Sequence, residues 1–534
     1  MDEFASLASI TDIIKPKGSA GVEREEHKLI GSSKSQGPAT FEDAITATGF
    51  GKYNFLLLFC IIFPCAIQIA ETTGISYILP IAECDLNLSL EDKGILNGVT
   101  FAGMILSGLF WGYLIDALGR KQIIVYGYLT TGFFSLIAAC SSNKFLLIIA
   151  KFAAGVVLNG PFSASTAHIV EFHSSKYRGK INMIRGTITS FANLLLPVLA
   201  WLILPRKIDI SVFGIFELRS WNVFMLITAF GPIISGCLYS FLPDSPKFLM
   251  SNGRNREALA VMKKIYAMNT GKPEETFPIK HLAEETIQNL ASTKDLTLAL
   301  KSGYAEMRTI FHLPHGKNLA LVSLNAFSLV LSLNTIRLWL PGIFQSINDY
   351  QMNHNGSSSD MCTMLDFMNG AANVSSTGSC NVNLDNISVY VNTFMVAAAR
   401  ILAFFIAGMF VQMVGTKKLT ILLCFFSSTL LFCIYFAKNA LFVTILSAAG
   451  SAIGSVPEIL LITMTLELFP TTLRTMALSV HLMAGRLGTL IGNVTFPYLV
   501  HLGCLPPFLF IGLFGFTCGM LSSLYPSIEN KPLV

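Results

Sequence analysis

Twelve runs of mostly apolar residues, divided by short polar breaks, leave this chain few ways to fold. The first six cover residues 54–82, 94–115, 122–141, 145–171, 184–205 and 221–242, and the second six cover 318–344, 388–411, 418–437, 440–466, 475–501 and 506–526. Each supplies the roughly 20 apolar residues a helix needs to cross a bilayer, where only structures that satisfy their own backbone hydrogen bonds persist. Composition agrees, since 52% of the residues are hydrophobic and 13% charged, against about 25% charged in a soluble domain. That balance excludes a disordered chain, a nucleic-acid binder working through basic patches, and most cytosolic enzymes. The sequence predicts an all-α, multi-pass membrane protein.

The runs set the expected organisation. A polar tail, 1–53, carries the short amphipathic segment FEDAITATGFGKYN (Phe41–Asn54), and no cleavable signal peptide is read at its start. One six-helix unit covers 54–242 and a second covers 318–526. Between them, 243–317 reads as short amphipathic helices, for example REALAVMKKIYAM from Arg256. A polar loop, 345–387, interrupts the second unit, and 527–534 form a closing tail.

Orientation is expected from the positive charges. Arg120 and Lys121, then Lys176, Arg178 and Lys180, then Lys417 and Lys418 fall in alternate breaks, together with the basic central stretch. Lys and Arg accumulate on the cytoplasmic side, so these breaks and both termini are expected there, in a vesicle or plasma membrane. Residues 344–388 hold no Lys or Arg but three N-x-S/T sequons, at Asn355, Asn373 and Asn386, and the first break on that side adds Asn87. These four are the expected luminal glycosylation sites. The sequon at Asn493 lies within a run and is expected to be inert. Cys362 and Cys380 share the luminal loop, where an oxidising compartment predicts a disulfide between them. Cys60, Cys65, Cys424 and Cys433 lie in apolar runs and read as small hydrophobes.

The two halves repeat at a fixed spacing. GYLIDALGRK begins at Gly112 and GMFVQMVGTKK at Gly408, and 408 − 112 = 296. EFHSSKYRG from Glu171 and ELFPTTLRT from Glu467 keep the same offset, as do Arg178 and Arg474. Leu79-Pro80 and Leu340-Pro341 match at 261 instead, and the difference falls where the long loop lies. A duplicated six-helix unit with one luminal insertion explains both spacings.

These residues resemble the major facilitator superfamily, whose architecture is a repeat of six spans. Gly112, Asp116, Gly119, Arg120 and Lys121 match its loop signature between spans 2 and 3. The resemblance implies a cytoplasmic latch built from them with Glu171, Arg178, Glu467 and Arg474. The second copy departs from the pattern, with Gln412 for the acid and Thr416 for the arginine. PDSPKFL (Pro243–Leu249) and ELFPTTLRTMA (Glu467–Ala477) are similar to motifs of the sugar and organic-ion porters. With FEDAITATGFGKYN and a long loop after span 7, they point to the synaptic vesicle glycoprotein 2 branch. The loop is too short for that branch's large luminal repeat domain, and Glu71 stands where the branch has Asp.

Four charges lie at mid-membrane: Glu71 in span 1, Arg400 in span 8, Glu458 in span 10 and Arg486 in span 11. Spans 3, 6, 9 and 12 carry none in their cores, and the resemblance implies that those four face lipid while the others border a central cavity. Each buried charge costs about 2.5–3.5 kcal/mol on insertion scales, so it should be paired or wet. Two acids and two arginines are able to neutralise one another as structural pairs, which is the plain alternative to a ligand role. Glu71 is the candidate proton site, and Arg400 and Arg486 are candidates for an anionic solute group. Tyr77 and Trp339, beside the Leu-Pro elements, are further cavity candidates. Lys151 and Arg337 are read as snorkelling toward the luminal ends, and His481 as a packed histidine.

No phosphate-binding loop, metal-spaced Cys/His cluster or nucleophile elbow occurs, so neither enzyme activity nor a cofactor or metal is expected. The expected function is transport of a small polar or charged solute by alternating access, with H+ as candidate coupling ion, by a monomer whose other partner is the bilayer. A transporter-like vesicle glycoprotein acting in trafficking or as a receptor is one alternative. An organic-cation carrier using Glu71 and Glu458 is another.

Overall fold

Where the polar breaks fall, helices stop. A computed structural model describes residues 38–212, 216–284, 315–355, 357, 359–365, 387–470 and 473–526. The first half begins with the short helix α1 (Phe41–Ala47) and with α2 (Lys52–Cys60), which continues into α3 (Ile62–Leu86). It continues with α4 (Leu90–Leu118), α5 (Arg120–Ala139), α6 (Lys144–Glu171), α7 (Ser175–Ile203) and α8 (Ser220–Ser240). An antiparallel hairpin, β1 (Asp209–Val212) and β2 (Phe216–Arg219), joins α7 to α8. Two short helices follow, α9 (Pro246–Ser251) and α10 (Asn255–Thr270). The second half holds α11 (His315–Asn353), α12 (Ile387–Val414), α13 (Thr416–Cys433), α14 (Ala440–Leu468), α15 (Arg474–His501) and α16 (Leu505–Ser523).

Among the described residues, ten helical segments are long and apolar enough to cross a membrane. The two remaining long helices, α4 and α15, match them with 29 and 28 residues and pack against each other. The protein is an integral, multi-pass membrane protein. For orientation we call the end bearing Arg120, Lys176 and Lys417 the basic end, and the opposite end, bearing Asn87 and Asn355, the sequon end.

The offset of 296 residues is visible in the backbone. Gly119 and Gly415 both cap their helices with positive φ, +91° and +84°, a conformation that side chains rarely adopt. Asn143 and Asn439 cap α6 and α14 with their side chains, and Pro161 and Pro457 interrupt the same two helices. Arg178 Nε donates to the His173 carbonyl at 3.0 Å, and Arg474 Nε to the Phe469 carbonyl at 3.1 Å. Helix pairing repeats as well: α3 packs on α7 and α8, α4 on α6, and α5 on α6 and α8, as α11 packs on α15 and α16, α12 on α14, and α13 on α14 and α16. The halves meet through α3–α11, α4–α15 and α7–α12.

That seam is joined at the sequon end. Asn97 Nδ2 donates to the Leu338 carbonyl at 3.4 Å, and Tyr390 of α12 is buried in the core of the first half. Toward the basic end, Met183 of α7 is 75% exposed and Met413 of α12 is 80% exposed. A helical layer covers the basic end of the first half. Phe41 and Ile45 of α1 share a core with Leu249, Met262 and Tyr266 of α9 and α10. Asn269 ties α10 to the turn before α2, accepting from the Tyr53 amide at 2.9 Å and donating to the Gly49 carbonyl at 3.1 Å.

The disulfide expectation is corrected. Cys362 is bonded to Cys504, in the break between α15 and α16, and Cys84 is disulfide-bonded too. The Met361 amide donates to the Ala437 carbonyl at 3.0 Å, and Met361, Met364 and Leu365 are buried in the core of the second half. Burying those apolar side chains carries Cys362 onto the bundle and away from a partner chosen by nearness in sequence. Cys380 lies outside the described residues, as do Asn373 and Asn386. Asn87 and Asn355 are exposed and adopt positive φ, whereas Asn493 is fully buried, donating to the Thr489 carbonyl at 2.8 Å.

Candidate functional site

Glu71 sits midway along α3, and its surroundings come from its own half. Its Oε2 lies 2.6 Å from Lys151 Nζ of α6, which also donates to the Glu71 carbonyl at 3.1 Å. Ser135 Oγ of α5 donates to Glu71 Oε1 at 2.5 Å. Both charges are almost wholly buried, at 3% and 4% exposure. Two sequence expectations fall here. Lys151 does not snorkel, and Glu71 is neutralised by a lysine of its own bundle and not by an arginine. A lone buried charge is costly, so the carboxylate takes the cation that helix packing brings within reach. A small cavity beside the pair is lined by Glu71, Ser135, Lys151, Phe224 and Thr228.

The second half holds a different cluster. It comprises Arg337 on α11, Arg400 on α12 and Glu458 on α14, all half-buried; Arg486 on α15 is half-buried too, without an electrostatic contact to them. Arg337 and Arg400 interact electrostatically with each other and with Glu458. Among the described residues none of the four makes an ion pair within 4 Å. The snorkelling expected of Arg337 is therefore corrected too. Its helix is 39 residues long and runs on to Asn353, which places Arg337 mid-helix, and its buried Nε has no acceptor among the described residues. Tyr77 reaches this cluster from the first half, lying beside Thr393 of α12 and interacting with Arg337. His481 is packed, with Nδ1 3.2 Å from Thr465 Oγ1.

Trp339 is buried and stacked on Phe496, with centroids 4.7 Å apart. It forms part of a cavity of about 70 Å³ between the halves near the sequon end, with Ser76, Glu83, Lys93, Asn97 and Asp349. Trp339 Nε1 and Asn97 Oδ1 are buried without partners among the described residues.

The residues expected to form a latch lie at the basic end. Gly119 has no room for a side chain, since a Cβ there would stand 2.6 Å from the Phe248 ring of the PDSPKFL segment. Arg120 stacks over that ring at 5.6 Å and pairs with Glu171 at 3.1 Å. Gly112 borders open space, and Lys121 is half-exposed. Arg178 pairs with Glu42 of α1 at 2.7 Å, and the Ser175 amide donates to the same carboxylate. Partial burial pushes the Glu42 carboxyl up, but the Ser175 hydrogen bonds and the Arg178 charge outweigh it and hold the carboxyl below its ordinary value. This contribution to docking is thus present at neutral pH and lost as acid protonates the carboxylate. In the second half Glu467 is exposed. Asp116 lies in α4.

Residues 57–371, more than half of the chain, match the family profile described as the Major Facilitator Superfamily. The chain belongs to the Major Facilitator Superfamily. Among curated proteins it is 24% identical over 328 residues to rat synaptic vesicle glycoprotein 2B, covering 58% of this chain and 48% of that protein. It is 25% identical over 279 residues to mouse synaptic vesicle glycoprotein 2C, covering 51% of this chain and 38% of that one. The match thus spans half or less of these relatives' length. The fold is also that of solved superfamily members. A partially occluded, inward-open xylose transporter XylE from E. coli superimposes with a TM-score of 0.61 at 15% identity, covering 89% of this chain and all of that one. A bacterial homologue of the human lysosomal transporter Spinster, inward-facing and unoccupied, superimposes at 0.56 and 11% identity, covering 90% and 97%.

Proposed function

We propose that the protein carries a small organic anion across its membrane by alternating access, coupled to protons through Glu71. The charge balance of the second-half cluster carries this reading. Arg337 and Arg400 stand against Glu458 alone, so the cluster has an excess of positive charge without ion pairs among the described residues. Intramembrane charges of this kind mark solute pathways, and guanidinium groups recognise carboxylates with two parallel hydrogen bonds. Tyr77 approaches the same cluster from the other half, so a solute bound there touches both halves, as rocking around a midplane site requires. Protonation of Glu71 removes the charge that holds Lys151, which makes the pair the coupling element. A structural neighbour named as a D-xylose-proton symporter supports the choice of ion.

By the Lys and Arg bias the basic end faces the cytoplasm, and the resemblance to synaptic vesicle glycoproteins supports a vesicle membrane. Asp116, Arg120 and Lys121, with Glu171, Arg178, Glu467 and Arg474, are assigned to closing the basic end in the alternate state.

The test is solute uptake by the purified protein in liposomes, against a panel of carboxylates, sugars and organic cations. Saturable carboxylate uptake is expected, reduced at least about tenfold by Arg337→Gln or Arg400→Gln through loss of a charged hydrogen bond. Uptake confined to cations would select the organic-cation reading, and no flux of any solute would select the non-transporting one. The double variant Glu71→Gln/Lys151→Met, which leaves no unpaired charge, is expected to transport with its pH dependence flattened. A retained pH profile in that variant removes Glu71 from coupling.

A further inference from the structure

The first turn of α4 carries three consecutive charges, and their partners differ. Asp92 pairs with Lys144 at 2.6 Å and Lys93 with Glu83 at 2.7 Å, both within the first half. Glu91 instead crosses the seam, its Oε1 lying 2.9 Å from Nε2 of His501, the last residue of α15. Three other acids at this end have partners elsewhere. Asp85 pairs with Arg219, Asp349 accepts from the Gln345 amide, and Asp360 accepts from Thr363. Among the described residues, no second charged group lies within hydrogen-bond distance of His501.

We propose that Glu91 and His501 form a proton-dependent clasp that holds the sequon ends of the two halves together in acid and releases them as pH rises. The inference rests on alternating access, because the pair forms only when the sequon ends meet. An imidazole with an ordinary pKa of about 6.5 changes charge in the physiological range. Neutral His501 offers Glu91 one ordinary hydrogen bond, and protonated His501 offers a charge-assisted one. Helix dipoles act in the same direction, since a cation at the C-terminus of α15 and an anion at the N-terminus of α4 are both favoured. The charge-assisted contact therefore exists while the imidazole is protonated and falls back to an ordinary hydrogen bond as pH rises. Acid at the sequon end thus holds the carrier in the form open toward the basic end.

The test uses the full chain in lipid nanodiscs, with exposed Cys140 and Cys237 replaced by serine and spin labels placed at Met183→Cys and Met413→Cys. Raising pH from about 5.5 to 8 should increase the share of the sequon-open form up to about fivefold, the effect of a partly exposed ion pair. His501→Gln and Glu91→Gln should each abolish that response, and His501→Lys should hold the closed form at every pH. A pH response that survives in both Gln variants overturns the clasp and returns the response to Glu71. A single label separation at every pH and in every variant overturns the clasp together with alternating access.

Discussion

Lys151→Met should destabilise the protein by about 3–5 kcal/mol, the cost of leaving a buried carboxylate without its counter-charge. Glu71 would keep only the Ser135 hydroxyl as a side-chain partner. Glu71→Gln leaves the ammonium unpaired in its place and should cost a similar amount. The double variant Glu71→Gln/Lys151→Met removes both charges and should recover most of the loss, because replacing a whole buried pair is often neutral. Chemical unfolding of the detergent-purified variants, read as a double-mutant cycle, measures the coupling. Single variants as stable as the parent would mean that the ion pair contributes nothing. The cycle also makes the uptake experiment interpretable, since it identifies a folded protein in which Glu71 no longer titrates.

This pair marks the limit of what the sequence makes legible. Hydrophobic runs and the repeat are local or periodic properties, so the twelve helices and the two-half architecture follow from them. An acid inside an apolar run is equally visible, which is why Glu71 stands out. Its partner lies 80 residues away, and only the packing of α3 on α6 brings the two together. Arg337 looks peripheral when run ends are judged by hydropathy, because α11 extends past its apolar portion to Asn353. Cys504 lies in a short break with no polar loop to attract notice, yet the folded segment around Met361 delivers Cys362 to it. Helix parity was the available signal, since that break lies on the same face as the long loop.

Gly94→Val should move the equilibrium between the two carrier forms without unfolding either half. Gly94 and Gly98 lie one turn apart on the face of α4 that meets α15, a spacing that lets helix backbones approach closely in membranes. A Cβ on Gly94 would stand 2.7 Å from the Asn493 carbonyl oxygen and 2.8 Å from the Pro497 ring. Neither neighbour yields easily, because one is backbone within α15 and the other is a proline ring inside that helix. The added side chain therefore wedges the halves apart at the sequon end. Overpacking of this kind costs about 1–3 kcal/mol, a shift of about 5- to 150-fold toward the sequon-open form. Gly98→Ala should shift it less, because the atom it meets is a methyl of the Leu490 side chain at 2.8 Å, which can rotate away. The same spin-label separation between Met183→Cys and Met413→Cys reads the shift, and solute uptake should fall with it as the return step is lost. Gly103→Val provides the contrast, since its neighbours Phe152 and Val156 belong to the same half. It should lower unfolding stability and leave the balance of forms unchanged. Equal behaviour of Gly94→Val and Gly103→Val in both measurements would mean that α4 does not act as a moving surface.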